Sequence, residues 1–307
     1  MRIPLQTRFM SFFRKDLQKF KIESKPFEVI QPVLASEDED SAAKAQSSIA
    51  KSVLPPYINN SEFQYDRYLD SEILYTSDQI ESIREPSAIA AKCVRMCPDI
   101  LRPGSTTSDL NDILHQEIVS QNAYPSLLGF RHYPKSICTS VNNVACHGIP
   151  DHRPLKDGDL LSVAITVYKN GYHGVCGSTF IVGDSKGNNL PRYLRSVAEE
   201  CLYRGISACR PGALLLDIGA EIGKLARKRH VNVMARLNGH GVGQCVQTYP
   251  DVYHVMNNYP GILKPGMFLL FIVSIMLCTN RFVINFLLNF QEWFCQFVLA
   301  SLMAMEL

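Results

Sequence analysis

The stretch "LSVAITVYKNGYHGVCGSTF" (residues 161–180) decides how this chain is read. Val163, Ile165 and Val167 alternate with Ala164, Thr166 and Tyr168, the period of two expected of a half-buried strand. Asn170-Gly171 then supplies two residues that tolerate the positive φ of a type I′ turn. A two-residue loop pairs Tyr168 with His173 and Thr166 with Val175, provided that no bulge shifts the register. Ala164 and Val175 then lie diagonally on one face, where two longer side chains could meet on one ligand. Such a hairpin is well shaped for ligation, yet it carries alanine and valine at those two positions.

Outside the hairpin the pattern alternates between helices and strands. "TSDQIESIREPSAIAAKCVRMC" opens with Thr76 three residues before Gln79, a capping-box spacing, and Ile80, Ile83, Ser87, Ala91 and Val94 recur at helical intervals. Pro86 is expected to kink or restart this helix, because it has no N–H and clashes with the preceding turn. A second helix follows in "STTSDLNDILHQEIVSQ", and strands are expected from Ile137 to Ala145 and from Leu160 to Val182. "PRYLRSVAEECLYRGISAC" and "LDIGAEIGKLARKRH" read as two further helices, the first stopping at Pro211-Gly212. This order predicts an α+β fold with antiparallel strands and helices outside them.

With 307 residues, 46% of them hydrophobic, the chain has enough material for one sizeable core or two smaller ones. A net charge of +2 gives no general pull toward nucleic acid, and no such partner is expected. The 10 cysteines form no CxxC pair and suit buried thiols in a reducing compartment. Residues 1–20 hold five Lys or Arg against one Asp, which reads either as a mitochondrial transit peptide or as a disordered basic tail in a cytoplasmic protein. Residues 21–75 are polar and broken, so 1–75 is assigned as a basic segment plus linker. From Met267 the chain turns strongly apolar. The run "MFLLFIVSIMLC" is too short to span ~30 Å of hydrocarbon. The next run is long enough but contains Asn285, Asn289, Gln291, Glu292 and Gln296. Residues 268–307 are read as a divergent tail, with a membrane anchor as the alternative.

"SVNNVACHGIPDHRPLKDGDLLSVAITVYKNGYHG", "NAYPSLLGF", "YPKSICTSVNN", "RPGALLLDIGAEIG" and "NGHGVGQCV" together resemble the type I methionine aminopeptidases, particularly their mitochondrial branch. The resemblance covers residues 76–267 in the family's order. It implies the pita-bread fold, a pseudo-two-fold antiparallel sheet with flanking helices, whose second half is expected to be incomplete here. It also implies a monomer that removes the initiator methionine from the N-terminal peptides of nascent proteins. The family uses two divalent metal ions (cobalt, manganese, iron or zinc) held by two aspartates, a histidine and two glutamates, which activate a bridging water.

Carried over residue by residue, the resemblance puts Ala164 and Val175 at the aspartate positions and His240 at the metal-binding histidine. Gln247 stands at the site's second histidine, and both glutamates fall beyond "KPGM", within the apolar tail. Only His240 remains of five ligands, so no metal pair is expected to bind. His147 matches the substrate-contacting histidine, and Phe130, Tyr133 and Cys138 match positions lining the methionine side-chain pocket. Read without the resemblance, these four suit core positions equally well. Cys146 and His147, as neighbours on an expected strand, point to opposite faces, which argues against a thiol dyad. No GxxxxGK[ST], HExxH or GxSxG motif is present.

Three functions follow. The favoured one is a catalytically degenerate aminopeptidase homologue. The others are an active enzyme with unrecognised ligands and a truncated or alternatively spliced product, either without a stable fold or tethered to a membrane by its tail.

Overall fold

The computed structural model describes residues 30–33, 45–47, 49–50, 53–59, 72–184, 190–278 and 283–290, with side chains through residue 275. Helices α1 (Ser77–Ile100) and α2 (Thr107–Ser120) precede strands β1 (Cys138–Val141), β2 (Leu160–Lys169) and β3 (Tyr172–Ile181). Helices α3 (Leu190–Ala208) and α4 (Leu215–Lys228) precede β4 (Gly239–Gly241), β5 (Thr248–Val252), β6 (Leu269–Cys278) and β7 (Val283–Phe290). Along the sheet the strands run β2, β3, β7, β6, β4, β5, each pair antiparallel, and β1 pairs with the other edge of β2. Two-residue strands at Tyr124–Pro125 and Asn232–Val233 complete it. This is the α+β arrangement expected, with antiparallel strands and flanking helices.

The β2–β3 hairpin has the register its turn dictates. Asn170 and Gly171 adopt φ of 52° and 88°, and the ladder pairs Tyr168 with His173, Thr166 with Val175 and Ala164 with Gly177. Behind it lies α1, whose start is held by the Thr76/Gln79 capping box: the Gln79 amide donates to Thr76 Oγ1, and the Thr76 amide to Gln79 Oε1 at 2.9 Å. Pro86 neither restarts nor ends this helix, which continues to Ile100. The segment around it is pressed against β3. A Cβ on Gly174 would sit 2.2 Å from the Ser87 nitrogen and 2.4 Å from the Pro86 carbonyl carbon. Only glycine permits so close an approach of strand to helix.

The two halves repeat one another. Thr106 bridges Pro154 as Leu214 bridges Ile262. The Gly104 amide donates to the Leu155 carbonyl at 2.7 Å, and the Gly212 amide to the Leu263 carbonyl at 2.8 Å. Gly158 and Gly266 both take φ of 87°. Each pair stands at the same sequence offset, and that offset carries Ala164 onto Ile272. A pseudo-two-fold axis therefore relates β2 to β6. Each half has its own core: Leu110, Leu114, Ile118, Val163 and Ile165 pack with α1 and α2, while Leu194, Ile218, Ile222, Phe268 and Phe271 pack with α3 and α4.

The apolar stretch set apart from residue 268 onward enters this packing. Phe268, Leu269, Leu270, Phe271, Val273 and Ile275 are buried, and β6 lies between β7 and β4 in the sheet. Its apolar character is that of a strand covered on both faces. Among the described residues no helix is long and apolar enough to cross a membrane. The transit-peptide expectation for residues 1–20 lies outside the described residues.

Candidate functional site

The pseudo-two-fold axis brings β2 and β3 of one half against β4, β5 and β6 of the other, and a cavity of about 550 Å³ opens between them. Its size is that of a small-molecule or short-peptide site. Every residue singled out from the sequence lines it: Phe130, Tyr133, Cys138, His147, Ala164, Val175, His240 and Gln247. Phe130, Tyr133, Cys138 and His147 thus form cavity wall, although Cys138 is also buried. Residues far apart in the chain converge because both halves turn the same face of their strands inward.

His240 sits on β4, opposite Asp251 of β5 and Leu270 of β6. Its Nδ1 donates to the Gly241 carbonyl at 2.8 Å. That bond fixes the tautomer with Nε2 unprotonated, and burial lowers the imidazole pKa against the opposing pull of the carbonyl. The result is a neutral imidazole with one free lone pair. Four neighbouring wall positions offer no donor to join it in ligation. Ala164, Val175, Leu270 and Ile272 end in carbon, and Ile272 is the two-fold counterpart of Ala164.

On the other side Tyr133 is half-buried, its hydroxyl donating to the Gly148 carbonyl at 2.7 Å. Gly148 is held so closely over β1 that a Cβ would meet the Thr139 carbonyl oxygen at 2.1 Å. Gly129, Arg131 and His132 take φ of 78°, 48° and 61°, a left-handed turn that directs Phe130 and Arg131 to the cavity. For the two non-glycine residues this costs roughly 1–2 kcal/mol each. The loop is shaped at the expense of local strain.

The strand expected to reach Ala145 ends at Val141, because Asn142 and His147 adopt φ of 50° and 53°. Cys146 and His147 therefore do not point to opposite faces; both line the cavity. A thiol nucleophile is disfavoured for another reason. Burial pushes Cys138 up to about 11 and raises Cys146, so both are held as neutral thiols. His147 is kept neutral by burial and then by the nearby Arg131 charge.

Asp251 escaped the sequence reading. It is the one carboxylate among the described lining residues, and burial raises its pKa. The Tyr259 hydroxyl is hydrogen-bonded to its backbone, and among the described residues no cation or donor is paired with its carboxylate. Nothing in "QTYPDV" marks it; only the β4–β5 register sets it opposite His240. Ile272, by contrast, was findable from the repeat of "RPG" at 102 and 210 and of "PLKDG" as "ILKPG".

The sequence pattern of metallopeptidase family M24 matches residues 81–285. The mitochondrial methionine aminopeptidase 1D of Dictyostelium discoideum is 37% identical over 221 residues, 70% of this chain and 54% of that protein. Its counterpart from Mus musculus is 40% identical over 200 residues, 64% of this chain and 58% of that protein. The chain thus spans little more than half the length of these relatives. A methionine aminopeptidase from Rickettsia prowazekii superposes with a TM-score of 0.65 at 32% identity, covering 72% of this chain and 93% of that one.

Proposed function

This chain belongs to the type I methionine aminopeptidases of metallopeptidase family M24, and from that premise we propose that it keeps the family's peptide site but has lost the hydrolysis. The observation that carries this reading is the wall around His240. Family members use divalent metal ions on the N-termini of nascent proteins. Two adjacent dications need several anionic oxygen ligands to offset their charge. Around His240 the wall presents Ala164, Val175 and Ile272, with Gln247 in place of a second imidazole and Asp251 as the single carboxylate among the described lining residues. These donors do not fit a metal pair, and no step of hydrolysis is assigned to them.

What supports retained peptide binding is the other wall. Phe130, Tyr133 and Cys138 offer an apolar recess of the kind that takes a methionine side chain, and His147 presents a neutral imidazole beside it. Delivery to mitochondria is part of the same reading and rests on the basic start of the chain and on the names of its relatives.

The test is hydrolysis of a Met-Ala-Ser peptide with manganese or cobalt added. No cleavage is expected. Ala164→Asp with Val175→Asp is also expected to stay inactive, because Gln247 and the strand carrying Ile272 are unchanged. Activity should return only when both aspartates, Gln247→His and a family-type carboxy-terminal segment are combined. Chelator-sensitive cleavage by the unmodified chain would falsify the reading.

A further inference from the structure

Asp251 has no role in the family resemblance, yet its placement is specific. It lies directly across the β4–β5 ladder from His240, so the two side chains emerge on the same face. Both line the cavity that also holds Phe130, Tyr133 and Cys138. A partly buried carboxylate is normally paired, because leaving it unpaired forfeits solvation without compensation. Here the Tyr259 hydroxyl is hydrogen-bonded to the Asp251 backbone, and no cation or donor of the described residues is paired with the carboxylate. Alongside the Asp251 carboxylate lies the carbon-ended wall of Ala164, Val175, Leu270 and Ile272. A complementary occupant carries an ammonium group and an apolar side chain.

We propose that Asp251 binds the free amino group of a short peptide in this cavity without any metal ion, while the Phe130, Tyr133 and Cys138 recess takes the first side chain. The inference rests on the reading that hydrolysis has been lost, since an intact peptide must remain bound. The methylene-rich wall excludes water from the ammonium–carboxylate contact and so strengthens it.

The full chain is titrated calorimetrically with Met-Ala-Ser in chelator, and with the same peptide acetylated at its amino terminus. Acetylation removes the charge that Asp251 would meet and should weaken binding at least tenfold, about 1.4 kcal/mol. Asp251→Asn should weaken binding of the free peptide by a similar factor and leave the acetylated one unaffected. The asparagine is isosteric, and the parent carboxylate is without a partner, so the fold should tolerate it. Equal affinity for free and acetylated peptide, no binding at millimolar peptide, or binding that requires added metal would each overturn the proposal. Mass spectrometry of the titrated peptide keeps the two ideas separate: cleavage products would overturn the loss of hydrolysis, whereas intact peptide with no dependence on Asp251 would overturn only this assignment.

Discussion

Restoring a carboxylate at position 175 without its companions should cost stability, and the size of the cost follows from where Val175 sits. It is 4% exposed, part of the core cluster of the second half, and paired across the ladder with Thr166. Replacing its buried isopropyl group forfeits about 1.5 kcal/mol of apolar burial. The new carboxylate would enter a cavity wall that Ala164 and Ile272 line with carbon, so its pKa rises in the folded state, by about 2 units for a site of this kind. At pH 7.5, above both the folded and unfolded pKa, that adds about 2.7 kcal/mol. Val175→Asp should therefore lose about 4 kcal/mol at pH 7.5, a fall in Tm on the order of 10 °C for a chain of this size. The sign with pH is set by the raised pKa. The folded state favours the protonated acid, so the penalty shrinks as pH falls toward the unfolded value, by about 1 kcal/mol at pH 5. Thermal unfolding of parent and variant, compared at each pH in chelator, measures both numbers. A Tm loss under 3 °C at pH 7.5, or a loss equal at the two pH values, would show that the position is solvated or already served by a cation.

Gly174→Ala should destabilise by about 3 kcal/mol, since its Cβ would meet α1 backbone and not a movable side chain; an unchanged urea midpoint would contradict the packing of β3 on Pro86 and Ser87. His173 and His254 are buried, and burial lowers them to about 3 and about 4. The unfolded chain takes up their protons first as pH falls through about 6.5, so each should remove about 2 kcal/mol of stability between pH 7 and pH 5. Replacing His173 with phenylalanine should flatten that dependence by about one proton, and an unaltered slope would count against a neutral His173. A fusion of residues 1–60 to a fluorescent reporter should concentrate in mitochondria, and a diffuse signal would leave that segment as an ordinary basic tail.

Local rules made much of this chain legible. The Asn170-Gly171 turn set the hairpin register through backbone sterics, and the Thr76/Gln79 spacing set the start of α1 through two hydrogen bonds within one turn. Those interactions involve near neighbours, so their geometry is written in spacing alone. The family resemblance likewise located His240, His147, Ala164 and Val175 by order along the chain, and the fold brings all four to one cavity. Other features depend on contacts between distant segments. Pro86 lies inside an unbroken helix because β3 packs against it, an arrangement invisible from the helix sequence. The left-handed residues after Val141 end a strand that β propensity would have continued. The apolar residues from Phe268 read as foreign until the sheet shows β6 between two neighbours, buried on both faces. Asp251 gained its place only through the β4–β5 ladder, since a strand's side chains share a face with residues that only pairing can name.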